Sequence, residues 1–232
     1  MRITHDKILT ISDVCQLLST IDARIGAATA DEMYMAELDR LVVVALLSSG
    51  MRNSEMCGLR VRDTIVGSGV SAFAAGRNRS RGRLIYVPQH VSATVVGYVR
   101  DCRPRFLPPG VAPDDLDQPL LMSEHRRAFD RTSLYRRVVK ILTEAGLGER
   151  ANVQLLRHTY GYLAYLRTGG NLLFVQRQLG HAHPTTTMAY AELVEESYAD
   201  LAERVLPAEA PGPARTVVAG ERRTPRFDCA VD

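Results

Sequence analysis

Leu41-Val42-Val43-Val44-Ala45-Leu46-Leu47-Ser48-Ser49-Gly50-Met51-Arg52-Asn53-Ser54-Glu55 is the stretch from which the rest of the chain can be ordered. Over 41–47 it is apolar nearly all the way round a helix, which marks the centre of a core rather than one stripe of a surface helix. The helix is predicted over 31–49, with Gly50 as its stop because glycine takes the left-handed cap conformation without a Cβ penalty. Arg52 follows at once, and Asn53 or Ser54 can cap a short helix through Glu55, Met56 and Leu59. A buried helix thus hands over to an arginine at a helix N-terminus, where free N–H groups and the macrodipole favour an anion.

Working outward, Ser12 is expected to cap an earlier helix whose Val14, Leu17, Leu18, Ile21 and Ile25 recur at helical spacing, with Gly26 ending it. On the other side come two β-like runs, 70–75 and 84–87, joined by a polar loop with Gly76 and Gly82 near its ends. That pattern predicts a hairpin. Arg77, Arg79, Arg81 and Arg83 fall at every second position there, so extended pairing would put them on one face, suited to a phosphate backbone. No Asp or Glu lies between Asp63 and Asp101. A helix is predicted over 91–103, and Pro104, Pro108, Pro109, Pro113 and Pro119 then mark an irregular surface connection.

In the C-terminal half, Thr132 or Ser133 can cap a helix with Leu134, Val138, Ile141, Leu142 and Ala145 inward, Arg136 and Arg137 outward, and Gly146 as its stop. Asn152 opens a helix carrying Arg157 and ending at Gly169-Gly170. Asn171 opens another, ended by Gly180, which leaves His181 just past the end. Pro184 starts a further helix through Tyr190 and on to about 205. The fold class expected is mainly α with a small antiparallel β-sheet (α+β), as one domain over 1–206; from 207 to 232 the composition turns to Pro, Ala, Gly and charge without periodicity, predicting a disordered tail.

Composition narrows the function classes. There is no apolar run of membrane-spanning length and no signal-peptide pattern, so a soluble, cytoplasmic protein is expected. Cys15, Cys57, Cys102 and Cys229 show no C-x-x-C spacing, which predicts free thiols, no zinc site and no metal cofactor. The net charge of +3 is only mildly basic; the argument for a polyanion rests on the acid-free arginine loop. Arg52 and Arg157 supply a guanidinium clamp, His181 a proton-handling group and Tyr190 an oxygen nucleophile, the parts that attack on a phosphodiester needs.

Ser49-Gly50-Met51-Arg52-Asn53-Ser54-Glu55 with Gly58-Leu59, then Leu156-Arg157-His158-Thr159, Leu179-Gly180-His181 and Thr186-Thr187-Met188-Ala189-Tyr190 stand in an order and spacing that resembles the catalytic domain of the tyrosine recombinases, the phage-integrase and Xer-like family. The resemblance covers about residues 8–205. It implies a site-specific DNA recombinase or integrase that cleaves and rejoins double-stranded DNA through a 3′-phosphotyrosyl link to Tyr190, without ATP, metal or other cofactor. Arg52 and Arg157 would hold the phosphate, His181 would bond it or assist the tyrosine proton, Glu55 would orient an arginine, and His158 would pack or bond beneath Arg157. The resemblance also implies a tetramer on DNA that exchanges a C-terminal helix, for which 192–205 is available, and work in phage integration, mobile-element movement or chromosome resolution, alone or with a partner recombinase or accessory protein.

Three departures bear on activity. Gln154 stands where the family commonly has histidine, and glutamine bonds a phosphate oxygen but carries no proton. The family's hairpin lysine, which protonates the leaving 5′-oxygen, has no counterpart between Lys7 and Lys140; Arg77 is the nearest match and Arg79 the next. The first helix is expected near Ser12, with no room ahead of it in this sequence for the family's N-terminal DNA clamp, as in a minimal recombinase, a fragment of a longer gene or a decayed relative. Gln154 and the missing lysine favour an alternative expectation, a catalytically weak or inactive DNA-binding relative that occupies recombination sites or assists an active partner.

Overall fold

In a computed structural model of the protein, the central helix forms where the apolar run places it: α2 spans Ala30–Ser49 and ends at Gly50 in the left-handed conformation, φ 59°. The residues described are 3–67, 69–76, 82–113 and 115–194. The expectations for Arg77, Arg79, Arg81, Cys229 and the tail 207–232 therefore lie outside the described residues. Leu38, Leu41, Val42, Val43, Ala45 and Leu46 of α2 are buried to 1% exposure or less. Each large side chain so buried contributes about 1.5–3 kcal/mol. α2 touches α1 (Ile11–Ala27), α4 (Gln89–Gly97), α5 (Arg131–Glu144) and α6 (Val153–Arg167), so the helices gather around it.

After α3 (Asn53–Gly58), three antiparallel strands run in the order β1-β2-β3: Thr64–Gly67, Val70–Ala75 and Arg83–Tyr86. Phe73 pairs with Thr64 on one side and Ile85 on the other. In β3 Ile85 is fully buried while Leu84 and Tyr86 are exposed, a two-residue alternation, whereas the central strand β2 is buried at Ser71, Ala72 and Phe73 in succession. The Pro-rich connection after α4 is held from inside by Arg103, which has no exposed surface. Its Nε and Nη2 donate to Pro119 O at 3.1 and 3.0 Å and its Nη1 to Pro113 O at 3.3 Å. α7 (Leu172–Leu179) and α8 (Pro184–Ala191) pack on α6 and close a second apolar cluster of Ile3, Ile8, Val175, Leu179, Tyr190 and Leu193.

Several expected boundaries shift. The cap of α1 is Thr10, not Ser12: its side chain accepts from the Asp13 N–H while Asp13 accepts from the Thr10 N–H, and the helix runs through Gly26 to Ala27. α5 is capped by Asp130 with Ser133 in the same reciprocal manner. Strand β1 was not foreseen, and the helix expected over 91–103 begins at Gln89 and gives way to a π-helical segment, Tyr98–Cys102. Arg137 is not outward: its guanidinium bonds buried Asp39, which also takes Arg24. α8 stops at Ala191 instead of continuing; beyond Val194 the predicted helix lies outside the described residues.

Candidate active site

The C-terminal end of α7 collects three arginines, one on each of three consecutive carbonyls. Arg83 Nε donates to Gln178 O at 3.2 Å, Arg157 Nη2 to Leu179 O at 2.7 Å and Arg52 Nη2 to Gly180 O at 2.8 Å. The last carbonyls of a helix lack intrahelical partners and form the negative end of its dipole, so cations are favoured there. Gly180 ends α7 at φ 63°, and a Cβ on it would come within 2.7 Å of the Arg83 guanidinium carbon. Only glycine meets both conditions.

Arg157 also donates through Nη1 to Gly50 O, so one guanidinium joins the ends of α2 and α7. It is 5% exposed; burial, and then the like charge of Arg52, pulls its pKa down to about 10, which leaves it charged at neutral pH. Glu55 is the carboxylate among these three cations. It accepts from the Arg52 N–H at 2.8 Å, from Arg52 Nη1 at 3.0 Å, and from both terminal nitrogens of Arg83, Nη2 at 3.0 Å. Burial pushes the Glu55 carboxyl up, but the Arg83 and Arg52 bonds outweigh it and hold it below the usual glutamate value. One carboxylate against three guanidiniums leaves a positive excess, and the Arg52 side chain, 41% exposed, opens it to solvent.

Tyr190 lies beside this cluster with no exposed surface. It rests on Gly161 of α6, where a Cβ would meet Tyr190 Cζ at 2.3 Å. Its hydroxyl is 3.2 Å from His158 Nδ1, and its ring is nearly parallel to that of His181, at 4° with centroids 6.4 Å apart. Burial, partly offset by Arg157, pushes the phenol up to about 12. His181 Nδ1 is 2.9 Å from Thr187 Oγ1. Burial, then Arg157 and Arg52, pulls this imidazole down to about 4, so it is neutral at physiological pH. Burial and Arg157 lower His158 as well.

The structure therefore brings Arg52, Glu55, Arg157, His158, His181 and Tyr190 together. Gln154 is on the first turn of α6 and exposed. His158 Nδ1 faces the tyrosine hydroxyl, and the charge of Arg157 also reaches its ring. Arg83, expected on a DNA-facing strand surface, is turned inward onto Glu55 and α7. Two site residues went unread in the sequence. Gln178, 2% exposed, docks β3 on α7 through its side-chain amide, which accepts from the Tyr86 N–H at 3.1 Å and donates to Tyr86 O at 3.3 Å. Gly161 carried a usable signal, since a lone glycine inside a helical pattern marks a close contact. Among the described residues no group of three or more His, Cys, Asp or Glu side chains is placed to hold a metal ion, and no helix is long and apolar enough to cross a membrane.

Residues 3–197 match the Phage integrase family. The tyrosine recombinase XerA of Pyrococcus furiosus is 28% identical over 168 residues, covering 72% of this chain and 54% of that protein. The tyrosine recombinase XerC of Nitrobacter winogradskyi is 29% identical over 181 residues, covering 78% of this chain and 53% of that protein. The chain thus spans little more than half the length of these relatives. Among solved structures, the XerH site-specific recombinase bound to its difH substrate has a TM-score of 0.67 at 23% identity, over 88% of this chain and 55% of that one. The XerA recombinase crystal structure has a TM-score of 0.64 at 21% identity, over 87% and 66%. At these identities the likeness is one of fold.

Proposed function

Because the chain belongs to the phage integrase family, we propose that it is a site-specific DNA recombinase, with the region up to 206 as its catalytic domain, that cuts and rejoins double-stranded DNA through Tyr190. The observation that carries this reading is the guanidinium cluster at the end of α7, held beside a buried tyrosine whose hydroxyl faces a neutral histidine. Arg52 and Arg157 rest on carbonyl oxygens, and a phosphate offers them stronger, charge-assisted acceptors in the same place. In the reaction, Tyr190 Oη attacks phosphorus and its proton passes to an imidazole nitrogen, while the bond to the 5′-oxygen breaks and that oxygen leaves with the bonding pair, taking its proton from the imidazolium or from water. His158 Nδ1 is the nitrogen within reach of the tyrosine proton in the described state. Negative charge grows on the non-bridging oxygens, where each preorganised donor is worth about 3 kcal/mol.

The hydroxyl is closed off over Gly161, so attack requires α8 to carry Tyr190 out toward the clamp. The phosphotyrosyl ester conserves the energy of the broken bond, and rejoining reverses the step. Assembly into a tetramer on DNA is part of the proposal, as it is of the family resemblance.

The test is trapping on a nicked suicide duplex built from the DNA flanking the gene. The wild-type chain is expected to form a covalent protein–DNA band, and Tyr190→Phe none. An adduct that persists in Tyr190→Phe overturns the assignment. Exposed Gln154 and the lysine-free hairpin favour a second reading, a DNA-binding relative that does not cut. Tight, salt-dependent binding with no adduct from either chain decides for it.

A further inference from the structure

We propose that Arg83 is a positioning residue of this site: it acts through Glu55 and the terminal turn of α7 to hold Arg52 in place, and so ties the β2–β3 hairpin to the phosphate clamp. The inference rests on the proposed function and adds to it a residue that the expected catalytic set does not contain.

Arg83 opens β3 and pairs with Ala75, so it stands where the arginine-rich loop rejoins the sheet. Its guanidinium is used up by protein. Both terminal nitrogens go to Glu55, Nε goes to Gln178 O, and a Cβ on Gly180 would meet its Cζ and Nη1 at 2.7 Å. The side chain is only 21% exposed, half the 41% of Arg52. A residue so engaged is poorly placed to meet a phosphate and well placed to shape its neighbours.

Those neighbours are the two groups that fix Arg52. Glu55 Oε1 accepts from Arg52 Nη1, and the Gly180 carbonyl accepts from Arg52 Nη2. Without Arg83, Glu55 would lose its partner on the hairpin side and be free to close on Arg52 with both oxygens. A carboxylate paired bidentately with Arg52 competes with a phosphate for the same fork. The Arg83 fork therefore divides Glu55 between two cations and keeps part of the Arg52 guanidinium available. The side-chain amide of Gln178 fastens the same strand to the same turn, so a displacement of the hairpin is carried to the clamp through both contacts.

The experiment compares wild type, Arg83→Gln, Arg83→Lys, Glu55→Gln and the Arg83→Gln/Glu55→Gln double variant in three measurements: thermal midpoint, affinity for the suicide duplex across salt concentrations, and adduct rate on the bound duplex. Arg83→Gln is expected to stay folded, to bind the duplex with an unchanged salt slope and only a small loss of affinity, because one phosphate among many is affected, and to form the adduct at least about tenfold more slowly, a fraction of what a direct donor gives. Arg83→Lys, which reaches one carboxylate oxygen, is expected between the two. The double variant is expected to be no slower than its slower parent, since both changes break one unit.

Among the adduct and binding measurements, two outcomes overturn the inference. One is an unchanged adduct rate in Arg83→Gln. The other is weaker binding with the salt slope reduced by about one, which would make Arg83 a DNA contact. An arm that needs no cleavage separates this inference from the functional reading. Inorganic phosphate is expected to raise the thermal midpoint of wild type, and to do so several-fold less in Arg83→Gln. If wild type forms no adduct but is stabilised by phosphate, only the recombinase reading fails and Arg83 is judged on this arm. If wild type does neither, there is no clamp to position and the inference falls.

Discussion

Arg157 and Arg52 are the same residue type on the same helix end, yet they should answer mutation differently. Arg157 is buried and supplies both the Gly50 and Leu179 carbonyls with a donor, whereas the Arg52 side chain is 41% exposed and supplies one carbonyl, that of Gly180. Arg157→Gln leaves at least one buried carbonyl unpaired, at about 1–3 kcal/mol per orphaned group. It should lower the urea midpoint with an unchanged slope. Arg52→Gln should shift the midpoint by less than about 1 kcal/mol while abolishing adduct formation. Equal loss of stability in both would contradict the carbonyl contacts. The sequence made both arginines visible as candidates because each adjoins a glycine-stopped or asparagine-capped helix. Arg83 was misread for a physical reason. Alternation along a strand assigns a face, but the element that covers the face is α7, and the Arg83 contact to Gln178 spans 95 residues. Nothing local to the hairpin encodes it.

Helix ends were legible where one side chain closes them and blurred where two act together. Asn152 and Asn171 cap α6 and α7 by accepting from Leu155 and Phe174 N–H groups, and Gly50 and Gly180 stop α2 and α7 at positive φ, all as read. Thr10 with Asp13 and Asp130 with Ser133 share the work across three residues, and single-residue reasoning placed those caps two or three positions late. Strand β1 is short, largely exposed and ends in glycine, so its signal is weak without β2 beside it. The contact of α6 with α8 gives the test at this scale. In Gly161→Ala the new methyl occupies the space of the Tyr190 ring, and overpacking costs about 1–3 kcal/mol, against up to about 1 kcal/mol regained in helix propensity. The variant should melt earlier, and Tyr190 should become accessible to nitration, read by mass spectrometry. An unchanged melting point with Tyr190 still protected would mean that α8 does not rest on α6 in this way.

At the scale of the molecule, the site's burial sets how stability responds to pH. His181 and His158 titrate below 6.5 when folded, His181 at about 4, so in acid the unfolded chain binds more protons and stability falls as pH drops below 6.5. Glu55, held below 4.5, acts in the same direction: its contribution is present above that value and is lost on acidification through its folded value. At the alkaline end the signs reverse. Cys57 and Cys102 are pushed from 9.0 to about 11, and Tyr98, Tyr160 and Tyr190 from 10.0 to about 12, chiefly by burial. Their unfolded forms lose protons first, so stability falls from pH 9.0 upward and is gone from these groups once the folded values are passed. Urea midpoints measured from pH 4 to 11 should thus show a plateau between 6.5 and 9.0 with a fall on either side. His181→Gln should make the acid limb shallower while leaving the alkaline one, and Tyr190→Phe should make the alkaline limb shallower while leaving the acid one, because each removes one of several titrating groups from one side of the plateau. An acid limb untouched by His181→Gln would mean that His181 is already solvated in the free chain, and that its ring does not sit among Arg157, Arg52 and Tyr190 until DNA arrives.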